Sequence, residues 1–153
     1  MIKTKRLNLS IATDEEMKQL ILVETNEAIK QAYTEMLEGC QAHPAQRMWY
    51  AVWFIKLSDG SVESIGDLSF KGITNDGMVE IGYGIHTQYE GNGYMTEAVE
   101  ALARWAASQP TVTRVEAETD PENIASQKVL TKAGFVANGD MGKEGPRFTL
   151  IVV

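Results

Sequence analysis

The sequence is poor in the residues that cross-link chains or hold metals. It has one cysteine, Cys40, which excludes an intramolecular disulfide and a multi-cysteine zinc site. Its two histidines, His43 and His86, offer little to a histidine-built centre, so no metal is expected. Long apolar runs are missing as well: the longest, Met48 to Ile55, falls far short of the roughly 20 residues that span a bilayer. The opening MIKTKRLNLSIATDEE carries no apolar core of signal-peptide length. With the lone thiol, these absences point to a reducing cytoplasm and to no membrane partner. Positive charge is the scarcer sign, 14 Lys and Arg against 21 Asp and Glu, for a net charge of −7. Such a chain repels nucleic-acid phosphates on average, and its densest basic stretch, Lys3, Lys5 and Arg6, reads as the polar side of a first strand. No nucleic-acid partner is expected, and the acidic balance mildly suits cationic small molecules or basic peptides.

At 44% apolar composition, with no repeats, low-complexity tracts or linkers, the chain reads as a single domain over residues 1–153. Ile2, Leu7, Leu9 and Ile11 mark a first strand. Thr13 and Glu16 have capping-box spacing ahead of a helical pattern that breaks near Thr25-Asn26 and stops at Gly39 and Pro44. Trp49 to Ile55, apolar on both alternating faces, reads as a central strand. Turn signals at Ser58-Asp59-Gly60 and Asn75-Asp76-Gly77 separate it from Val62–Phe70 and from the alternating Val79, Ile81, Tyr83 and Ile85. The three strands form an expected antiparallel meander. Met95, Ala98, Val99, Leu102 and Ala106 then give an amphipathic helix, with Glu100 and Arg104 paired on its outside. Val115, Ala117 and Thr119 mark a strand, Asp120-Pro121 opens a last helix ended by Gly134, and Arg147 to Val153 closes the chain as a strand. The expected class is α/β (α+β), a mixed, mostly antiparallel sheet with helices on both faces.

The most informative stretch runs Gly82-Tyr83-Gly84-Ile85-His86-Thr87-Gln88-Tyr89-Glu90-Gly91-Asn92-Gly93-Tyr94-Met95. A strand enters a loop with two glycines and passes straight into a helix. Such glycines let backbone N–H groups approach a ligand, and the helix start adds unpaired N–H groups and the positive end of its dipole. That is an anion cradle made of main chain; the same glycines also serve a plain tight turn. The loop lacks the Gly-Lys-Ser/Thr ending of a P-loop and the third glycine of a dinucleotide fold, which disfavours a nucleotide enzyme. On the last helix, Asn123, Ser126 and Leu130 share a face at i, i+3 and i+7, with Ser126 inside the apolar arc centred on Ala125, Val129 and Ala133, while Lys128 and Lys132 point elsewhere. Helix capping by Asn123 and a back-bond from Ser126 would also account for that pair.

Gln88-Tyr89-Glu90-Gly91-Asn92-Gly93 resembles the Q/R-x-x-G-x-G/A loop of the GNAT acyl-CoA N-acyltransferase superfamily. The run from Asn123 to Phe135 resembles its second motif, N-x-x-S-x-x-V-L-x-K-x-G-F, and IGYGI with QYEGNGYMTEA looks most like the ribosomal-protein N-acetyltransferase (RimJ/RimL) branch. The opening TKRLNLSIATDEE is similar to the start of that branch, so the resemblance covers nearly the whole chain. It implies a GNAT-like domain whose fourth and fifth strands splay apart around acetyl-CoA, with no metal. Main chain at Gly84, Ile85 and His86 would pair with the pantetheine like an added strand. The pyrophosphate would rest on amides of the loop from Gln88 through Tyr89, Glu90, Gly91, Asn92 and Gly93 to Tyr94 and Met95. Asn123 and Ser126 would contact the pantetheine or order the groups beside the thioester.

The implied reaction is attack of an amine on a thioester, which needs a base for an ammonium of pKa near ~10.4 and an acid or tolerance for the leaving thiolate. The family's usual tyrosine acid would lie seven residues after Asn123, where this chain has Leu130. Ser126, on the same helix face, is the candidate substitute, with Tyr83 and Tyr94 as further hydroxyls. Glu80 is the candidate base, although its position also suits a salt-bridged strand residue; Glu97 suits its own helix start, and His86 is a lesser alternative. Asn92 replaces the basic residue that many relatives carry in the loop, leaving the basic help for phosphate unidentified. Trp49, Tyr50, Trp53 and Tyr33 either line an acceptor cleft or belong to the core. The expected activity is acetyl transfer to a primary amine, a protein N-terminus or a small amine. The alternative is a non-catalytic acyl-CoA-binding or sensing module on the same fold. The closing strand RFTLIVV is a candidate to pair between subunits in a homodimer.

Overall fold

The computed structural model describes residues 1–151. Its strands are β1 (Ile2–Lys3), β2 (Leu7–Ile11), β3 (Val52–Leu57), β4 (Ser64–Ile73), β5 (Met78–Ile85), β6 (Arg114–Glu118), β7 (Phe135–Met141) and β8 (Pro146–Leu150). The helices are α1 (Asp14–Val23), α2 (Glu27–Ala42), α3 (Tyr94–Ala107) and α4 (Ile124–Lys132). One sheet has the order β1-β2-β3-β4-β5-β6-β8-β7. Its pairs are antiparallel except β5 with β6, so the mixed, mostly antiparallel class and the β3-β4-β5 meander expected from the sequence are present. No helix among the described residues is long and apolar enough to cross a membrane.

Alternation along β3 divides the core. Trp53 and Ile55 join the larger cluster with Leu68, Phe70, Ile81 and α3's Leu102, while Val52 joins Ala12, Met17 and Cys40 beneath α1 and α2. The helices therefore cover both faces. The capping box opens α1, with Glu16 N–H donating to Thr13 Oγ1 at 3.1 Å and Thr13 N–H to Glu16 Oε1 at 3.0 Å. Asn26 caps α2 at the expected break, accepting from Ile29 N–H at 3.1 Å.

Several expectations need correcting. The first strand is two, β1 and β2, separated by a turn over Thr4 to Arg6. Gly39 does not stop α2; it lies against the Tyr50 ring and the helix runs on to Ala42. Trp49 is not in a strand: Pro44 to Trp49 make a 3-10 turn, and Val52 begins β3. Trp49 and Trp53 are core residues, 3% and 2% exposed, with Trp53 Nε1 donating to the Met48 carbonyl at 3.0 Å. Asp120-Pro121 does not open α4, whose cap is Asn123. β7 is an additional strand, unmarked by alternation because only Phe135 of its seven residues is buried. β8 lies between β6 and β7, so the closing strand is interior and β7 is the edge; Val152 and Val153, the end of the expected strand, lie outside the described residues.

The parallel ladder of β5 and β6 places Glu80 directly beside Glu116, an unfavourable like-charge neighbourhood by itself. Arg147 of β8 resolves it. Its guanidinium lies 2.9 Å from Glu80, 3.0 Å from Glu116 and 2.7 Å from Glu118, and all four side chains are largely shielded from water. Burial pushes the Glu116 carboxyl up, but hydrogen bonds from Arg114 and Arg147 outweigh it and hold the group below its usual 4.5. Glu116 therefore stabilises the fold fully above about 4.5, and that contribution is lost as pH falls through its lower folded value. Arg147→Met removes the one cation paired with Glu118 among the described residues and one of the two paired with each of Glu80 and Glu116, and is expected to destabilise the protein by about 3–5 kcal/mol. Urea denaturation at pH 7 measures this, and a loss below 1 kcal/mol would show the cluster to be dispensable.

Candidate active site

The β5–β6 ladder ends at Glu80 and Glu116. Among the described residues, β6 beyond it pairs only with β8, and the edge of β5 from Ile81 to Ile85 that faces away from β4 has no strand beside it. The two strands part, as the family resemblance implied for the fourth and fifth strands in a count that took β1 and β2 as one. A cleft of about 630 Å³ fills the opening, bounded by β5, the loop after it, the start of α3 and one flank of α4.

The loop forms one wall through Tyr89, Glu90, Gly91 and Gly93, and Tyr94, Met95 and Thr96 of α3 continue it. Gly91 and Gly93 both have φ of +79°, a left-handed conformation that side chains rarely adopt, and a Cβ on Gly91 would meet nothing within 4 Å. Gly93 is the N-cap of α3, and no side chain among the described residues caps that end. The first-turn N–H groups are thus offered to the cleft rather than to the protein's own oxygens, the arrangement that receives an anion.

The loop is held from behind by the first strand pair. Arg6 Nε donates to Glu97 Oε1 at 2.8 Å, and Thr4 Oγ1 and Arg6 N–H donate to Glu97 Oε2 at 2.5 and 2.9 Å. Arg6 also donates to the Asn92 carbonyl at 2.9 Å, and its guanidinium lies 4.4 Å from the centre of the Tyr94 ring. Glu97 therefore ties α3 to the Thr4–Arg6 turn as well as sitting in its own helix start. Burial pushes its carboxyl up, yet the bonds from Thr4 and Arg6 leave it below the usual range, so the clamp persists through neutral pH. Asn92 does not line the cleft; its side-chain amide donates to the carbonyls of Tyr89 and Glu90 at 3.2 Å and shapes the loop.

Across the cleft, Asn123 Oδ1 accepts from Ser126 N–H at 3.0 Å as the cap of α4. Ser126 Oγ and the Tyr83 hydroxyl are 2.8 Å apart, joining β5 to α4 over the opening. Burial raises the Tyr83 phenol above its usual 10, with Ser126 opposing, so it stays protonated at neutral pH. Lys128 and Lys132 do not point elsewhere as expected; both line the cleft. α4 is rotated so that Leu130 and Ala133 are buried, while Ala125 and Val129 face the cleft and carry the lysines with them. These are the basic groups that loop composition alone does not supply. Leu130, where the family's tyrosine would stand, is fully buried.

Of the expected contacts, Gly84, Ile85, Tyr89, Glu90, Gly91, Gly93, Tyr94 and Met95 gather on the cleft with Asn123 and Ser126. His86 and Gln88 are exposed beside it without lining it. Glu80, the candidate base, is not on its walls; Lys71 at 2.6 Å and Arg147 at 2.9 Å already neutralise it. The salt-bridged alternative for Glu80 is the one the structure displays, because its strand phase points it at β4's Lys71 and β8's Arg147. Tyr83, Lys128 and Lys132 join the site through tertiary placement.

A mixed sheet parted between two parallel strands, with a glycine loop feeding a helix N-terminus at the gap, leaves a strand edge and a row of main-chain N–H groups on one cleft. The model of the acetyltransferase (GNAT) domain matches residues 4–136, and the chain belongs to that family. It is 38% identical over 87 residues to the uncharacterized N-acetyltransferase YjdG of Bacillus subtilis, a match covering 56% of this chain and 51% of that protein. A second relative, the uncharacterized N-acetyltransferase p20 of Bacillus licheniformis, is 35% identical over 50% of this chain and 44% of its own length. The chain thus spans about half the length of these relatives. Among solved structures, a spermidine N-acetyltransferase variant from Vibrio cholerae superposes with a TM-score of 0.73 at 14% identity, covering 96% of this chain and 94% of that one. The ribosomal α-N-protein acetyltransferase RimL in complex with coenzyme A gives 0.69 at 20% identity, covering 95% and 92%. At such identities these likenesses concern the fold.

At fixed pH, Arg6→Ala is expected to speed amide hydrogen exchange at Asn92 to Met95 roughly severalfold, through loss of charge-assisted hydrogen bonds to Glu97 and the Asn92 carbonyl. The second half of α3 should be unaffected. Unchanged exchange at Asn92 to Met95 would show that the loop holds itself.

Proposed function

We propose that this chain is an acetyl-CoA-dependent N-acetyltransferase acting on a primary amine. The observation that carries this is the placement, in one cleft, of an uncapped helix N-terminus and the Tyr83–Ser126 hydroxyl pair, on either side of an unpaired strand edge. The loop amides from Glu90 to Met95, with Lys128 and Lys132, suit a diphosphate. The free edge at Gly84 and Ile85 suits the amide groups of a pantetheine arm, by strand addition. Acetyl-CoA supplies the activated acyl group; the chain orients it and moves protons.

Backbone N–H groups on the open β5 edge stabilise negative charge developing on the carbonyl oxygen. The Tyr83 phenol, kept protonated by burial, donates to the departing sulfur directly or through Ser126 Oγ. A thiol of pKa near ~8.5 is a tolerable leaving group, so Leu130 in place of a tyrosine is compatible with turnover. The acceptor class is the finer question, since structural neighbours are named for a polyamine and for ribosomal protein N-termini.

Calorimetric titration with acetyl-CoA, with ATP and NAD as controls, tests the cleft: micromolar binding of acetyl-CoA alone is expected, and its absence would reject the function. Replacing Gly91 and Gly93 with valine forces both off their φ of +79° and should abolish binding while the fold survives. Unchanged affinity there would reject the loop's role. Ser126→Ala and Tyr83→Phe should each lower kcat by about 10-fold or more with little change in acetyl-CoA affinity. Equal losses in both would make the pair a binding element, and binding without turnover for any amine would favour a sensing module.

A further inference from the structure

The buried and part-buried carboxylates on the sheet and on α3 are supplied with cations: Glu80 with Lys71 and Arg147, Glu116 with Arg114 and Arg147, Glu118 with Arg147, and Glu97 with Arg6. Asp67 of β4 is different. It is half-buried, and among the described residues no Lys, Arg or His nitrogen lies within ion-pair distance of it. Its hydrogen-bond partner is a neutral group, the Tyr33 hydroxyl of α2, which donates to Oδ2 at 3.0 Å. Oδ1 has no protein partner among the described residues and is not sealed from water.

Its position is as informative as its company. Asp67 pairs across the ladders with Phe54 of β3 and Gly84 of β5, on the α1–α2 face of the sheet. The next residue of that face on β5 is Gly82, and a Cβ there would meet only Ser69 Oγ at 3.8 Å, while one on Gly84 would meet nothing within 4 Å. The sheet beside Asp67 is therefore bare main chain leading to the open β5 edge. From the opposite face of the same segment, Tyr83 and Ile85 enter the cleft. Gly84, directly across the ladder from Asp67, lines the cleft, so a carboxylate with no ion-pair partner among the described residues lies one strand from the place assigned to the thioester.

We propose that Asp67, anchored by Tyr33, docks the acceptor as a cationic primary amine and takes the proton that the amine must lose. The proposal rests on the acetyl-transfer function above. The ammonium provides the missing counter-charge, and one N–H proton passes to Asp67 and then to solvent. The nitrogen lone pair forms the bond to the carbonyl carbon, and the electron pair of the C–S bond leaves with sulfur. The second N–H proton shed by nitrogen balances the one that sulfur takes up, so each turnover releases one proton. Burial, chiefly, raises the Asp67 carboxyl above its usual 3.8, with Tyr33 and His86 opposing and Glu24 reinforcing, which makes it a better base than an exposed aspartate. Tyr33, pushed well above its usual 10 by burial and by Asp67, remains a donor throughout.

The test measures thiol release with spermidine, butylamine and a short peptide bearing a free α-amino group, beside calorimetry with acetyl-CoA and thermal melting. Asp67→Asn is expected to lower kcat/KM by about 10²-fold at pH 7 with acetyl-CoA affinity intact, and the deficit should shrink towards pH 10, where much of an alkyl amine is already neutral. Tyr33→Phe, which keeps the carboxylate and frees it, should raise KM for the amine while kcat changes by only a few fold; Ser69→Ala, on the same face, should change neither. Wild-type kcat/KM in Asp67→Asn, a deficit equal at pH 7 and 10, or an unchanged KM in Tyr33→Phe would overturn the proposal. Wild-type protein that binds acetyl-CoA but turns over none of the three amines would also overturn it, leaving the cleft's assignment standing. Failure to bind acetyl-CoA would instead remove the function beneath it.

Discussion

The architecture turns on the ion cluster at Arg147. Two adjacent parallel strands present Glu80 and Glu116 side by side, and one guanidinium from β8 holds both, together with Glu118. That is the last point at which β5 and β6 run together. Past it, β6 follows β8 and β5 continues with β4, and the divergence is the cleft. A sheet normally gains by continuing its ladder, so an interruption needs support on either side. Here the arginine secures the near end, and Tyr83 with Ser126 bridges the far end.

The cleft's walls are set by unlike means. The loop from Gln88 to Gly93 is exposed apart from Tyr89, which packs on the core; Arg6 reaches its main chain through Asn92 while Glu97 fixes the helix behind it. α4 presents a cleft-facing flank because Leu130 and Ala133 claim the core. Lys128 and Lys132 put positive charge at the mouth of a protein whose net charge is −7. A local field opposed to the average is what an anionic ligand needs and what overall composition conceals.

How much of this the sequence reveals depends on the range of the interaction. The glycine loop, the capping box at Thr13 and the cap of α2 at Asn26 are local chemistry, and all appear where residue type and spacing place them; the start of α4 does not, since Asp120-Pro121 reads as its opening and Asn123 caps it. The strand phase of β5 separates Tyr83 from Glu80 correctly but says nothing of Lys71 or Arg147, so Glu80 read alone suits a base and in place is neutralised. Arg6 and Glu97 meet across 91 residues, and Tyr33 and Asp67 across 34, distances at which periodicity carries no information. β7 left no pattern because an edge strand facing water on both sides has nothing to alternate for. The lysines of α4 reach the cleft because helix rotation is decided by whichever side buries best: Leu130 and Ala133 take the interior, and Ala125 and Val129 are only partly covered or exposed.

Arg147 also has a place in time. During synthesis the glycine loop, α3 and β6 emerge well before the arginine that joins Glu80 to Glu116 and Glu118, and β8 must then insert between β6 and β7. Until translation passes that residue, the nascent chain carries a half-sheet with an open edge at β6 and clustered negative charge. The meander of β3, β4 and β5, joined by short turns, can form early. The two-sided site cannot, because Arg147 follows all of its other walls in chain order. The opening between β5 and β6 is therefore fastened only once β8, the last of the described strands in chain order, has joined the sheet.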